Sequence, residues 1–132
     1  MAWLLKHARE ALAARTGPAL APFDIDGRSL AVLIVLDAGT ASGPLSQQEA
    51  AARLGVDRTT MVALIDALED KALVVRAPHP SDRRKNVVAL TPAGRNTLDH
   101  ASVAAEEAER QFLAPLTSAE AAALRRVLQK LI

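Results

Sequence analysis

The sequence predicts a mainly α-helical protein with one small β-hairpin, and three observations predict it. Alanine, the residue of highest intrinsic helix propensity, supplies 28 of the 132 residues. Apolar side chains recur at helical spacing through most of the chain. Short β-branched runs stand at LVVRA (73–77) and NVVAL (86–90), on either side of a turn-rich segment, as a hairpin requires.

Residues 2–15 place Leu4, Ala8, Ala11 and Leu12 on one helical face, and Gly17-Pro18 is expected to end that helix. Ser29 to Ala38 reads as an apolar, buried helix whose exit is punctuated by Gly39 and Gly43-Pro44. In SQQEAAARLG, Ser46 and Glu49 have the spacing of a capping box, and Gly55 stands where a left-handed cap belongs, giving a helix over 46–54. Asp57 caps the next helix, RTTMVALIDALEDKAL, after a three-residue turn. Two helices joined so tightly read as a helix-turn-helix. In the second of them Met61, Leu64, Ile65, Leu68 and Ala72 form the core stripe. Arg58, Thr59, Val62 and Ala63 lie opposite, and the later turns are acidic, with Asp66, Glu69 and Asp70.

After the hairpin, Thr91-Pro92 supplies an N-cap and a proline at the first helical position. A long helix over 92–114 aligns Leu98, Ala101, Ala105, Ala108 and Phe112. Thr117 and Glu120 form a second capping box, and Leu124, Val127, Leu128 and Leu131 stripe a last helix. A helix-turn-helix followed directly by a hairpin is a winged helix-turn-helix core, here flanked by N- and C-terminal dimerisation helices. The boundaries expected within a single domain over 1–132 are 28–95 for the winged lobe, and 1–22 with 98–132 for the dimerisation helices.

Composition narrows the function. The formal net charge is only +1, so affinity for a polyanion has to come from local clustering. Absence of cysteine removes disulfides, thiolate metal sites and a cysteine redox sensor. His7, His79 and His100 are scattered, so neither metal nor cofactor is expected. Three aromatic residues, Trp3, Phe23 and Phe112, are too few for a base-stacking platform. No Gly-rich phosphate loop, metal-spaced His/Glu set or Ser/His/Asp signature is present, so an enzyme is not expected. The longest apolar run, Leu30 to Leu36, is too short for a bilayer, and the N-terminus lacks a signal-peptide core. A cytoplasmic protein with no membrane partner is the expectation.

The stretch HPSDRRKNVVALTPAG sets Arg83, Arg84 and Lys85 side by side at the hairpin tip. Taken alone, such a loop can be a solvated turn. Beside a helix-turn-helix, it points to duplex DNA, with the recognition helix in the major groove and the tip on phosphates or in the minor groove. The expected DNA contacts are Ser46, Gln47, Arg58, Thr59, Thr60, Val62, Ala63, Arg83, Arg84 and Lys85. A competing class is a winged-helix module whose basic wing binds an acidic protein. The acidic second half of the recognition helix leans that way.

From Leu45 to Arg95 the chain resembles the MarR family of winged-helix transcriptional regulators. The resemblance is carried by SQQEAAARLGV, by the recognition helix, and by Asp82-x-Arg84 followed in register by Leu90-Thr91 and Gly94. Departures are Ala63 and Ala67, where basic or polar residues are common, and Ala72, where glycine is usual. The resemblance implies that Arg84 enters the minor groove and that Asp82 orients its guanidinium, beside the plainer reading of Asp82 as a turn residue. It also implies a homodimer and a pseudo-palindromic operator. Leu4, Ala8, Leu12, Phe112, Leu124, Leu128 and Leu131 are the expected dimerisation residues, unless their stripes pack within one chain. A small aromatic or phenolic effector, bound between dimer base and winged lobe, is implied as the release signal for a repressor.

Overall fold

A computed structural model describes residues 1–39 and 43–132, so the exit loop expected around Gly39 and Gly43-Pro44 lies partly outside the described residues. The elements run α1 (Ala2–Leu20), α2 (Gly27–Gly39), β1 (Leu45–Ser46), α3 (Gln47–Leu54), α4 (Arg58–Asp70), β2 (Val74–Pro78), β3 (Asn86–Leu90), α5 (Pro92–Leu113) and α6 (Ser118–Leu131).

Local chemistry sets most of these limits. Ser46 Oγ accepts from the Glu49 N–H at 3.1 Å while Glu49 Oε2 accepts from the Ser46 N–H at 2.8 Å, which closes the start of α3. Gly55 ends α3 at φ +64°, a left-handed conformation that glycine adopts without steric cost. Asp57, Thr91 and Thr117 cap α4, α5 and α6 by accepting from Thr60, Gly94 and Glu120 N–H groups. Asp26 does the same for α2, accepting from the Ser29 N–H at 2.8 Å.

Three expectations need correction. Gly17-Pro18 does not end α1, which continues to Leu20. Pro18 withholds one N–H near the end of the helix, and Leu20, 1% exposed, draws the last turn into the core. The expected hairpin forms as β2–β3, but two strands fall one short: Leu45 and Ser46 pair with Val88 and Val87 to give an antiparallel sheet ordered β1-β3-β2. So short a strand has no period to read. Ala72 is not part of the α4 stripe. The helix stops at Asp70, and Ala72 is an exposed residue at φ +58° that turns the chain toward β2.

The core lies between α2, α3, α4 and the sheet. Val32, Leu33, Met61 and Ile65 are wholly buried, with Leu36, Leu68, Val74 and Val88 nearly so. Full burial of such side chains contributes about 1.5–3 kcal/mol each before conformational entropy is subtracted. The start of α5 is locked to this lobe. Thr91 donates its N–H to Leu73 O at 3.0 Å and its hydroxyl to Ala72 O at 2.6 Å. A Cβ on Gly94 would lie 1.9 Å from Leu73 O, so only glycine fits there. Arg95 Nη1 meets Asp37 Oδ1 at 2.6 Å and ties α5 to α2.

Candidate nucleic-acid interface

The recognition helix α4 starts on Asp57, whose Oδ1 accepts from the Thr60 N–H at 2.7 Å. That bond, with the Thr60 hydroxyl and the Thr59 amide, holds the Asp57 carboxyl below the usual carboxylate range. The amide end of α4 is therefore occupied by the chain's own anion. Positive charge at this end is left to Arg58, which is exposed with Thr59 and Ala63, while Thr60 and Val62 are half-buried. Met61, Ile65 and Leu68 point the other way, into the core.

The wing folds around Asp82. Its carbonyl accepts from the Lys85 N–H at 3.0 Å, and Lys85 O accepts from the His79 N–H at 2.7 Å, closing the turn. Asp82 Oδ1 accepts from the Arg84 backbone N–H at 3.1 Å and from Arg84 Nε at 3.3 Å. One carboxylate thus makes both the turn bond and the guanidinium bond that the sequence offered as alternatives. Arg84 is 92% exposed, and Arg83, Lys85 and Asn86 are exposed beside it. The tip does not fold back on its own lobe.

Wing and helices meet in one open groove. Gln47 and Gln48 of α3, Arg58 of α4, and Arg84, Lys85 and Asn86 of the wing all line it. Ser46 lines it too. Seven of the ten expected DNA-contact residues bear on this picture directly: Ser46, Gln47, Arg58, Arg84 and Lys85 line the groove, with Thr59 and Ala63 exposed on the adjoining helix face. Arg83 is exposed at the tip outside the groove, and Thr60 and Val62 present only part of their surface.

Sequence reasoning missed Arg76. On β2, it meets Asp66 at 2.6 Å and Glu69 at 2.8 Å, and Gln47 at 3.3 Å. An arginine in a strand after two carboxylates spaced three apart on a helix was the available signal. Among the described residues no group of three or more His, Asp or Glu side chains is poised for a metal. Among the same residues no helix is long and apolar enough to cross a membrane.

At the other end of the molecule, α1 lies along α5, and Leu12 and Phe112 are half-buried there. Leu4 and Ala8 remain exposed. No residue of α6 is buried: Leu124, Leu128 and Leu131 are 37%, 39% and 73% exposed. Its one described ion pair to the rest of the chain joins Arg125 to Glu109 of α5 at 2.7 Å.

A winged lobe of this shape is shared widely. A MarR-family model matches residues 23–85. The chain is 32% identical to the transcriptional repressor CouR bound to a 23-mer DNA duplex, over 99% of this chain and 91% of that one, with a TM-score of 0.90. It is 29% identical to CouR from Rhodococcus jostii RHA1 bound to p-coumaroyl-CoA, over 98% and 90%, with a TM-score of 0.86. The HTH-type transcriptional repressor NicR of Pseudomonas putida is 33% identical over 90 residues, which are 68% of this chain and 57% of that protein. The chain thus spans little more than half the length of such curated relatives. By the family model over residues 23–85 and the 32% identity to a repressor over nearly the whole of both chains, the chain belongs to the MarR family of transcriptional regulators.

Proposed function

We propose that the protein is a homodimeric DNA-binding regulator, a repressor in the cytoplasm that acts by occupying duplex DNA rather than by catalysis. The observation that carries this reading is the single groove shared by Arg58 on the recognition helix and Arg84 and Lys85 on the wing. In it α4 enters the major groove through Arg58, Thr59 and Ala63, and the wing follows the backbone into the minor groove through Arg84. Asp82 fixes the aim of Arg84. Ser46 and Gln47 meet phosphate, and Thr60, Val62 and Arg83 complete the contact. Base readout by α4 is thin, because Val62 and Ala63 offer only apolar contact to a thymine methyl.

The dimer is supported by α6, whose Leu124, Leu128 and Leu131 stay 37–73% exposed. A two-fold partner bringing the same stripe, with Leu4, Ala8, Leu12 and Phe112 nearby, covers them isologously. Two recognition helices then face half-sites about one helical turn apart. The effector reading rests on a crevice between α2 and α5, lined by Ile34, Asp37, Ala38, Leu98, Asp99 and Ser102. A small aromatic compound or its thioester held there changes how the lobe sits on the dimer base and releases DNA.

Binding to duplex DNA across a salt series tests the function. The expected result is a steep, linear fall of log affinity with log salt. A flat response removes the DNA reading in favour of a protein-binding wing. That alternative drew on the acidic half of α4, but two of its carboxylates are paired internally with Arg76.

A further inference from the structure

The proposed DNA face contains a conflict of charge. The later turns of α4 present Asp66, Glu69 and Asp70, all exposed, on the element expected to meet a polyanion. Carboxylates facing phosphates weaken association and slow encounter. Arg76 engages two of the three. Its Nη2 lies 2.6 Å from Asp66 Oδ1 and its Nη1 2.8 Å from Glu69 Oε1. Its backbone N–H adds a third bond, to Glu69 Oε2 at 3.3 Å. Asp66 and Glu69 are three residues apart on a helix and so share a face, which the planar fork of a guanidinium can span. Nη2 also donates to Gln47 Oε1 at 3.3 Å, so the same side chain joins α3, α4 and β2. Arg76 is 27% exposed where Arg84 is 92% exposed; the first faces inward and the second outward. Burial acts to lower the Arg76 pKa, but the Asp66 and Glu69 partners outweigh it and raise it, so the charge is held.

We infer that Arg76 is a charge-masking and positioning residue of the DNA face, cancelling Asp66 and Glu69 in front of the phosphates. It also occupies the Gln47 carbonyl oxygen. The Gln47 amide N–H groups, which no described residue engages, are then the part left to donate to DNA. This rests on the DNA-binding reading above.

The test measures duplex binding by the full chain, with sedimentation and melting in parallel. Arg76→Gln is expected to weaken binding by about tenfold or more, on the scale of other charged interface contacts. Adding Asp66→Asn and Glu69→Gln to it should restore affinity to within about threefold of the parent, since nothing is left to mask. Adding Glu10→Gln and Glu106→Gln instead, an equal change of net charge far from the groove, should restore little. Rescue by both pairs, or by neither, overturns the inference, as does an Arg76→Gln protein that binds like the parent. If Arg76→Gln fails to fold, the triple variant decides: it should bind within about threefold of the parent, and a tenfold loss overturns the masking role. A parent that binds no duplex removes the function reading itself and this inference with it. A binding parent with an unaffected variant removes the inference alone.

Discussion

The winged lobe and the C-terminal helix are written in the same pattern and end in opposite states. In α4, Met61, Ile65 and Leu68 are 0–1% exposed, because α2, α3 and β2 close over them. In α6, Leu124, Val127, Leu128 and Leu131 repeat at the same spacing and are 37–73% exposed. Both helices are well capped, by Asp57 and by the Thr117–Glu120 box. Helix formation therefore cannot be what separates them. Periodicity says that a face will be covered and is silent about which chain covers it.

The sharpest way to break the contrast is to empty the lobe. Ile65→Ala removes most of a wholly buried side chain and is expected to destabilise the protein by about 2–5 kcal/mol. Calorimetric or dichroism melting checks it, and an unchanged transition would mean the lobe is not the stability core. Leu128→Glu tests the other half. It should leave the lobe's melting nearly intact but weaken self-association by at least about tenfold, or ~1.4 kcal/mol, in sedimentation. An intact dimer would place the interface elsewhere.

Arg84→Ala separates function from both kinds of packing. Affinity for operator DNA should fall by about ten- to a hundred-fold, ~1–3 kcal/mol, with dimer and melting unchanged. Equal affinity of variant and parent refutes the wing assignment. The smallest expected effect belongs to the caps. The Ser46 amide and hydroxyl lower the Glu49 pKa, and those of Thr117 lower that of Glu120. A carboxylate with a folded pKa below its unfolded one stabilises at pH above the unfolded value, and that stability is lost as pH falls through the folded value. Acid titration should therefore loosen the starts of α3 and α6 below the usual carboxylate range. In Glu49→Gln and Glu120→Gln, the acid limb of the melting profile should be flatter; an identical limb removes the capping role.

What could be read from residues alone was the part governed by near neighbours. Ser46–Glu49, Gly55, Asp57, Thr91-Pro92 and Thr117–Glu120 each act within four positions, and the structure has each bond where the spacing put it. What could not be read depends on distant partners. Leu45 and Ser46 are a strand only because Val87 and Val88 pass beside them. Pro18 stands inside α1, and Leu20 just beyond it is buried in the core. At the candidate site, the tip cations were legible as a run. Arg76 was not, since its carboxylates lie seven and ten residues back, across a turn.

The corner at Ala72 is a strained joint between α4 and β2. An alanine held at φ +58° sits in a conformation costing about 1–2 kcal/mol for a residue with a Cβ, and two bonds from Thr91 grip the chain there. A glycine would let this joint wander among several basins; alanine offers few others. The corner that joins the recognition helix to the wing is thus clamped by Thr91 against its own backbone strain.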